Sequence, residues 1–525
     1  MTSPDGRLTD GLNPEERPPR DACGVFGVWA PNEDVAKLAY YGLYALQHRG
    51  QESAGIAVSD GNRIVVHKEM GLVAQVFDEP ALTALRGHLA VGHCRYSTTG
   101  ASVWANAQPT FRSTGRTSLA LGHNGNLINT RELAGLLEPA GAGGQQIAAT
   151  SDTDVLTALF VSDRGSTGAV ADGEAGGVES AAAAVLPLVK GAYSLVFMDE
   201  QTLYAARDPH GFRPLVLGRL AGGWVVASET AALDIVGARF VREIAPGELV
   251  CIDGRGVRST MFAEPQPSGC VFEYVYLARP DSTIAGRSVH KTRVDIGRAL
   301  AREHPIDADL VIGVPESGTP AAVGYAQESG ILYGQGLTKN AYVGRTFIQP
   351  SQTIRQLGIR LKLNPLREVI RGKRLIVVDD SIVRGNTQRA LVRMLREAGA
   401  IEVHVRIASP PVKWPCFYGI DFATPAELIA NAPSNQANES EVLEAVRHAI
   451  GADTLGYISL EGMIAATEQP ASRLCCACFT GEYPIELPSE TALGKNVIEH
   501  MLANAARSGA PIQADNDNVS ALRRP

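Results

Sequence analysis

The sequence predicts an α/β chain of several domains, with a parallel β-sheet in its second half. Its 525 residues, 45% hydrophobic and 20% charged, allow two to four ordinary globular domains. The run Leu375–Val378 is apolar without alternation, which predicts a short strand buried on both faces. A polar turn follows it, and then a helical pattern through Leu391, Met394 and Leu395. This strand–turn–helix order is typical of open parallel sheets.

The composition excludes several classes of function. The formal net charge of -8 argues against a nucleic-acid surface, which normally needs a basic patch, so we expect no nucleic-acid partner. No apolar run approaches the ~20 residues of a membrane span, and we expect no membrane contact. Residues 1–22 are charged and rich in proline, so they predict a disordered leader without a secretory signal. A cytoplasmic location follows by default, where the eight cysteines are expected to be catalytic or metal-binding.

The first half of the chain begins with a strand over Cys23–Val28. A helix is predicted from Asp34, because apolar residues recur on one face with helical spacing. Gly55–Val58 and Arg63–Val66 then predict a hairpin joined through a short Asp-Gly-Asn turn. The character of the sequence changes at residues 253–267, and we place a domain boundary in that loop.

Four polar motifs accompany Cys23 in this half. Gln47–Glu52 ends the first helix, and Gly92–Ser97 lies at a predicted strand end. Gly122–Leu127 is predicted to be a polar turn after an apolar run, and Ser151–Asp154 to cap a helix beginning at Val155. With Cys23, these motifs resemble the glutamine amidotransferase domain of the N-terminal-nucleophile class. The resemblance implies an αββα sandwich, that is, two stacked sheets between layers of helices.

The resemblance also implies how Cys23 acts. Residues 1–22 would be a propeptide, and Cys23, once it is the first residue, would attack the amide of glutamine. A thiol with a pKa of ~8.5 needs activation, and a free α-amino group with a pKa of ~7.7–8.0 is a suitable base. The oxyanion then requires fixed donors, and the resemblance assigns the Asn124 amide and the Gly125 N–H.

Three further residues of this half are assigned to glutamine by the resemblance. Arg95 would pair with the α-carboxylate of glutamine through a bidentate fork, and Asp152 would bind its α-ammonium group. Arg49 would help to hold the nucleophile and its surroundings.

The second half is organised around the polar turn that begins at Asp379. Ligands of parallel sheets bind at the carboxyl ends of strands, where the next helix offers unpaired N–H groups to an anion. The turn resembles the phosphoribosylpyrophosphate (PRPP) loop of type I phosphoribosyltransferases. This implies that the two acids meet the ribose hydroxyls and Mg²⁺, and that the rest wraps the 5′-phosphate. The residues so assigned are Asp379, Asp380, Ser381, Arg384, Gly385, Asn386 and Thr387.

Two more segments are predicted to face the pyrophosphate of PRPP. Pro315–Thr319 resembles the pyrophosphate loop of the same enzymes, which implies that Ser317 contacts Mg²⁺. The run Lys339–Gln349 has cations and a glycine, which fit a lid that closes over pyrophosphate and excludes water. Lys339 and Arg345 are its expected contacts with PRPP.

Four cysteines supply a possible metal site. Cys475 and Cys478 form a C-x-x-C pair, and Cys270 and Cys416 complete a set of four soft thiolates. Such a set suits a [4Fe–4S] cluster or a tetrahedral zinc ion, and free thiols are also compatible with the spacing. The four positions match the cluster-bearing form of the family that the whole chain resembles.

The order of the two resemblances, glutaminase followed by phosphoribosyltransferase, is that of enzymes that make 5-phosphoribosylamine from PRPP and glutamine at the first committed step of purine synthesis. It implies inhibition by purine nucleotides and a homotetramer. Two alternatives are a PRPP-sensing regulator, which would need a DNA-binding module, and a glutaminase joined to sugar-isomerase domains. The predicted segments are a propeptide (1–22), a glutaminase domain (23–255), a phosphoribosyltransferase domain (268–470), a helical segment with the C-x-x-C pair (471–507) and a disordered tail (508–525).

Overall fold

The computed structural model describes residues 23–96, 102–114, 118–137, 150–162, 177–340, 362–420, 427–431 and 438–488. The predicted propeptide, the predicted tail and most of the predicted lid, including Arg345, lie outside these residues. Within them, no helix combines the length and the apolar character needed to cross a membrane.

The first half contains thirteen described strands in two antiparallel sheets. Seven strands form one sheet in the order β11-β9-β10-β1-β4-β2-β3, and six form the other in the order β13-β12-β8-β7-β6-β5. The strands are β1 (Gly24–Trp29), β2 (Ser53–Ser59), β3 (Ile64–Met70), β4 (Leu89–Arg95), β5 (Thr110–Ser113), β6 (Ser118–Leu127), β7 (Gly191–Met198), β8 (Leu203–Arg207), β9 (Val216–Arg219), β10 (Trp224–Ala227), β11 (Arg239–Glu243), β12 (Glu248–Asp253) and β13 (Gly256–Met261).

Helices cover the outer faces of both sheets. Val35–Ala45 packs on the seven-stranded sheet, and Asp152–Phe160 and Val178–Val185 pack on the six-stranded sheet. A third apolar cluster fills the space between the sheets. The layers are therefore helix, sheet, sheet and helix, the αββα sandwich that the resemblance implies. The remaining helices here are Val73–Val76, Glu79–Ala84, Thr130–Ala134 and Thr230–Ile235, with single turns at Trp104–Asn106 and Leu186–Leu188.

Two local predictions in this half are wrong. Gly122–Leu127 is not a turn but the second part of β6, paired residue by residue with β7 from Gly122 opposite Val196 to Leu127 opposite Gly191. His123 and Asn124 are buried there, because β6 lies inside the sandwich between the other sheet and the helix Asp152–Phe160. The helix predicted from Val155 begins at Asp152, since the Ser151 side chain accepts a hydrogen bond from the Asp154 N–H and caps the helix there.

The second half is built on a four-stranded sheet in the order β17-β20-β21-β22, with every neighbouring pair parallel. Its described strands are β14 (Gly269–Cys270), β15 (Thr283–Ile284), β16 (Arg287–Ser288), β17 (Leu310–Gly313), β18 (Leu337–Lys339), β19 (Leu363–Pro365), β20 (Arg374–Asp379), β21 (Glu402–Ile407), β22 (Thr454–Tyr457) and β23 (Leu474–Cys475). Its helices are Val289–Glu303, Thr319–Ser329, Arg367–Ile370, Asn386–Glu397, Glu439–Ile450, Leu460–Thr467 and Ala477–Thr480, with a π-helical turn at Glu273–Leu277 and single turns at Ile429–Asn431 and Ala471–Arg473.

Strand β20 is buried on both faces, as its apolar run predicts. Ile376 and Val378 belong to one apolar cluster, and Leu375 and Val377 belong to another on the opposite side of the sheet. The strand ends at Asp379, and the helix Asn386–Glu397 follows. The aspartate pair therefore lies at the carboxyl edge of the parallel sheet, where ligands of this architecture bind.

Candidate active centres

Cys23 immediately precedes β1, at the edge of the sandwich interior. Its thiol is buried; Sγ donates to the Tyr96 carbonyl at 3.1 Å and accepts from the Tyr96 N–H at 3.2 Å. Burial raises the pKa of Cys23 to about 12, although the nearby charge of Arg95 opposes the rise. Within the uncleaved chain the thiol is therefore protonated and a poor nucleophile.

Asn124 is a fully buried residue of β6 whose side chain is unpaired. Neither its amide nitrogen nor its amide oxygen has a hydrogen-bond partner among the described residues. Buried polar groups are normally paired, so an orphaned amide needs an explanation, and a developing oxyanion is one. The next residue, Gly125, has φ +150°, and a Cβ there would collide with the Ala192 carbonyl. Glycine is thus required at this point of the strand.

A buried cation and a buried anion lie near the thiol. Arg95, at the end of β4, is 2% exposed and lies 3.9 Å from the Glu52 carboxylate. Asp152 accepts hydrogen bonds from the Leu127 N–H at 3.1 Å and the Thr153 N–H at 2.8 Å. The charges of both Arg95 and Asp152 act on Cys23. The fold therefore brings these predicted residues together.

The charge of Asp152 is favoured by its surroundings. Burial alone would raise the pKa of this carboxyl, but His123 at 3.7 Å and the backbone N–H groups outweigh it and lower the pKa. Asp152 is therefore an anion at neutral pH, as binding of an ammonium group requires.

Arg49 is buried and contacts the main chain of the nucleophile. Its Nε donates to the Cys23 carbonyl at 3.3 Å, and its Nη1 donates to Glu229 at 2.6 Å. Both Nη atoms also donate to Glu273, which belongs to the second half of the chain. Arg49 thus contacts the main chain of Cys23, and its carboxylate partners come from both halves.

The aspartate pair at the end of β20 forms the centre of the second site. Asp379 and Asp380 are 6% and 8% exposed, and Ser381 Oγ donates to Asp380 at 2.5 Å. Burial, and then the negative charge of Asp380, raise the pKa of Asp379 well above its usual range. The Gln388 amide donates to Asp379, while its own oxygen has no partner among the described residues. Crowded hard oxygen donors of this kind suit a divalent cation.

The residues after the aspartates form the start of a helix. Gly385 is the N-cap of Asn386–Glu397 with φ 77°, a left-handed conformation that glycine adopts without strain. Asn386 and Thr387 are exposed in the first turn. Arg384 forms an ion pair with Glu427 at 3.2 Å. The first N–H groups of a helix have no acceptor within the helix, so a helix N-terminus at this position suits a phosphate.

The predicted pyrophosphate loop lies beside the aspartates. β17 pairs with β20, and a Cβ at Gly318 would collide with the Val378 carbonyl, so the two loops are in close contact. Ser317 is half-buried in this loop. Lys339 is exposed and lies 3.2 Å from the exposed carboxylate of Glu316. Ser317 and Lys339 thus lie in segments next to the same edge of the sheet.

All eight cysteines are free thiols, and five of them gather where the two ends of the second half meet. Cys270 and Cys475 are direct neighbours in a short parallel ladder, and burial, followed by the nearness of the Cys270, Cys416 and Cys475 thiols, raises the pKa of Cys478. In the described parts of the chain, no three His, Cys, Asp or Glu side chains form a group that could hold a metal ion. A cluster spreads its thiolates over four irons, whereas zinc needs them around one point. By their chemistry, four soft thiols are donors that fit an iron–sulfur cluster as well as zinc.

Four residues of these centres escaped the sequence analysis. Arg213 and Glu229 lie outside the motifs that the sequence analysis singled out, and nothing near Glu273 or Gln388 signalled a charged or polar network. Three of them have partners far along the chain, as Arg49 reaches Glu273 across 224 residues, whereas Gln388 contacts Asp379, nine residues away. Local pattern cannot reveal such pairs, although a Glu inside the apolar run after Cys270 is an unusual residue to bury.

Known proteins with similar sequences and structures have the same two kinds of domain. Residues 93–234 match the family model of the glutamine amidotransferase domain. The amidophosphoribosyltransferase of Mycobacterium tuberculosis H37Rv is 73% identical over 505 residues, which cover 95% of this chain and 94% of the relative. That of Bacillus subtilis is 46% identical over 489 residues, covering 92% and 97%. The solved glutamine PRPP amidotransferase from B. subtilis, complexed with ADP and GMP, has a TM-score of 0.81 at 45% identity, covering 90% of this chain and 100% of that one.

An αββα sandwich with a buried thiol at the start of its first strand, followed by a parallel sheet with an aspartate pair, defines a glutamine amidotransferase joined to a phosphoribosyltransferase. The identities are high and extend over nearly the whole length of both chains. The chain belongs to the amidophosphoribosyltransferase family, whose members make 5-phosphoribosylamine, glutamate and pyrophosphate from PRPP, glutamine and water in purine biosynthesis. Membership decides against the sensor and the isomerase alternatives.

Proposed function

We propose that Cys23 is the nucleophile of the glutamine half-reaction and that Asn124 and Gly125 stabilise its oxyanion. The observation that supports this most is the buried, unpaired Asn124 amide, on a strand that packs against β1: a Cβ at Gly122 would lie 3.6 Å from Val25. A developing negative charge would give this amide the partner that it lacks, and donors fixed in advance stabilise a transition state most effectively.

Release of residues 1–22 would activate the thiol. With the leader attached, Cys23 has a buried thiol with a pKa of about 12 and no α-amine. Cleavage frees an α-amine with a pKa of ~7.7–8.0 on the same residue, which can accept the thiol proton at neutral pH. The thiolate then attacks the glutamine amide, ammonia leaves, and water hydrolyses the thioester to glutamate.

Arg95 and Asp152 would fix glutamine by its two charged ends. The guanidinium of Arg95 pairs with the α-carboxylate and the Asp152 carboxylate with the α-ammonium, so that only an α-amino acid satisfies both. Both residues are buried, which strengthens these contacts relative to water. Arg49 holds the nucleophile from behind through the Cys23 carbonyl.

In the second centre, Asp379 and Asp380 would bind the ribose hydroxyls of PRPP, with Ser381, Arg384, Gly385, Asn386 and Thr387 around the 5′-phosphate. Mg²⁺, held by Asp379, Asp380 and Ser317, would offset the negative charge of the departing pyrophosphate. Lys339 would exchange Glu316 for pyrophosphate, because a phosphate oxygen is the stronger partner for its ammonium group. Arg345 remains a predicted contact.

The two half-reactions would be joined by ammonia. Ammonia released at Cys23 displaces pyrophosphate from C1 of PRPP, which gives 5-phosphoribosylamine. Ammonium in bulk water at neutral pH is not nucleophilic, so we infer that ammonia passes within the protein. The contacts of Arg49 with Glu273, from opposite halves of the chain, support an internal route.

Cys270, Cys416, Cys475 and Cys478 would hold a [4Fe–4S] cluster of structural role. Four soft thiolates without a disulfide are the ligands that such a cluster needs. When bound, it would tie the start of the second half to its C-terminal part.

We also infer regulation and assembly from the family. The related B. subtilis enzyme was solved as a complex with ADP and GMP, and we propose that purine nucleotides inhibit this enzyme by feedback. A homotetramer in the cytoplasm is the expected assembly and location.

The variant Cys23→Ala tests whether glutamine hydrolysis and pyrophosphate displacement occur at separate centres. Pyrophosphate release from PRPP should disappear with glutamine as nitrogen donor but persist with ammonia, because the second centre is untouched. Cys251→Ala, which removes a buried thiol of β12 far from this chemistry, should retain both activities. Glutamine-driven turnover in Cys23→Ala, or an intact mass that retains residues 1–22 in a fully active enzyme, would contradict the proposal.

A further inference from the structure

Glu273 is a buried carboxylate that two arginines share. It begins the π-helical turn Glu273–Leu277 and is 1% exposed. Arg49 donates to it from both Nη atoms, at 2.7–3.0 Å, and Arg213 Nη1 donates at 3.1 Å. Both arginines come from the glutaminase half, whereas Glu273 belongs to the second half. The carboxylate therefore joins the two halves in a region without solvent.

One side of this network ends at the nucleophile. Arg49 uses its Nη atoms for carboxylates and its Nε for the Cys23 carbonyl, at 3.3 Å. Its guanidinium is planar, so the position of the fork on Glu273 also fixes the direction of Nε. A rotation of the guanidinium would move the hydrogen bond that holds the main chain of Cys23.

The other side ends at the segment that carries Cys416. Arg213 donates from Nε and Nη2 to the Tyr418 carbonyl, at 3.1 Å and 2.8 Å. The Tyr418 N–H lies 3.4 Å from Cys416 Sγ. Glu273 thus connects the main chain of the nucleophile, through two arginines, with a segment of the second half.

Among the described residues, Glu273 is the carboxylate that pairs with the buried Arg213, but this charge balance does not account for its contacts with Arg49. Arg49 already has a buried carboxylate partner in Glu229 at 2.6 Å, and that partner comes from its own half of the chain. What Glu273 adds is a second carboxylate that fixes the orientation of the fork and links it to Arg213. Orientation, rather than charge, is the property that catalysis requires of the nucleophile's support.

We propose that Glu273 is a positioning residue for the glutamine half-reaction, which holds Cys23 in its attacking geometry through Arg49 and makes that geometry depend on the second half of the chain. The inference rests on the proposed role of Cys23. It assigns Glu273 no contact with glutamine or PRPP.

The test compares Glu273→Gln with wild type in the full-length, processed, iron-loaded enzyme. The amide keeps the size of the side chain but cannot accept hydrogen bonds from both arginines on two anionic oxygens. Glutamine-dependent kcat should fall ~10- to 100-fold, because a misplacement on the order of 1 Å has that effect. Ammonia-dependent kcat and the KM for PRPP should stay within ~2-fold. Labelling of Cys23 by a glutamine-like chloroketone should slow by the same factor as glutamine-dependent kcat.

Two more variants complete the test. Glu273→Asp keeps the charge, and its glutamine-dependent kcat should lie between those of wild type and Glu273→Gln. If Glu273→Gln is insoluble, Glu273→Asp replaces it, and the same result is expected: a lower glutamine-dependent kcat with an unchanged ammonia-dependent kcat. Glu248→Gln removes a buried carboxylate of β12 that pairs with Arg242, at 2.7 Å and far from Cys23, and should leave both activities unchanged.

An unchanged glutamine-dependent rate in Glu273→Gln would overturn the proposal. An equal loss of both activities, or a loss of bound iron together with both, would also overturn it by showing a structural role alone. If Cys23→Ala still used glutamine, the proposed function itself would fail, which is a separate result.

Discussion

Glu229 carries its charge in the interior, between His48 at 2.7 Å and Arg49 at 2.6 Å. Burial alone would raise the pKa of this carboxyl, but His48 and Arg49 outweigh it, so the folded pKa lies below the usual range. A carboxyl whose pKa is lowered by folding stabilises the fold above its unfolded pKa of ~4.3, and this stabilisation is lost as pH falls toward the folded pKa.

Glu229→Gln should therefore reduce the free energy of unfolding most at neutral pH. Removing one member of a buried ion pair typically costs ~3–5 kcal/mol, and we expect the difference from wild type to shrink below about pH 4. Urea midpoints at pH 7, 4 and 3 measure this. Lys37 forms an exposed ion pair with Glu79 at 2.7 Å, and the control Lys37→Gln should have a smaller effect at pH 7. A difference that grows on acidification would contradict the assignment.

The candidate catalytic residues could be predicted from the sequence, but the residues that hold them in place could not. Cys23, Arg95, Asn124 and Asp152 lie in short motifs that a resemblance can identify one at a time. Glu273 has no motif, because its function depends on arginines in the other half of the chain. The unpaired state of Asn124 is likewise a property of packing, which no sequence pattern contains.

At the level of the elements, residues 416–419 contact β6, the strand that carries the proposed oxyanion donors Asn124 and Gly125. The Asn126 side chain donates to the Phe417 carbonyl at 3.0 Å, and a Cβ at Gly419 would lie 3.0 Å from the carbonyl carbon of Gly125. Gly419 also has φ +99°, which a side chain strains.

Gly419→Ala should therefore displace Gly125 and lower glutamine-dependent kcat. A shift of a few tenths of an ångström at an oxyanion donor predicts a loss of about 10-fold, with ammonia-dependent turnover close to wild type. Steady-state rates with the two nitrogen donors measure the split. Gly254→Ala, in a loop where a Cβ meets open space, is the matched control. Equal rates of the two glycine variants with glutamine would show that this packing is irrelevant.

The elements themselves were predictable to different extents. Strand β20 has a continuous apolar run, and burial on both faces follows directly from it. The prediction for Gly122–Leu127 was wrong, because polar residues in a row are typical of a turn. The sequence does not show that other layers of the sandwich cover this strand. The helix at Asp152 begins earlier than its apolar pattern, since a serine cap decides the start and the first turn carries two acids.

In the whole molecule, three of the four expected cluster ligands lie in segments that are far apart in the sequence. β14 carries Cys270 near the start of the second half, β23 carries Cys475 near its described end, and Cys416 precedes the segment that supports Gly125. A metal group that binds these thiols would add its binding free energy to the stability of that junction. Loss of this metal group should lower the stability of the second half and loosen the segment that packs against Gly125.

Cys475→Ser should therefore abolish most of the bound iron and lower the thermal midpoint. A loss of ~2 kcal/mol corresponds to about 4–8 °C for a domain of this size, and the ratio of glutamine- to ammonia-dependent turnover should fall with it. Iron analysis, the visible spectrum and thermal melts of anaerobically purified protein measure these effects. Cys476→Ser is the matched control, since it alters the adjacent half-buried thiol, which is not among the four expected ligands, and it should keep its iron. Full iron content in Cys475→Ser would contradict the assignment of Cys475 as a cluster ligand. A colourless, iron-free and stable wild-type protein would contradict the cluster itself, because the junction would then depend on packing alone.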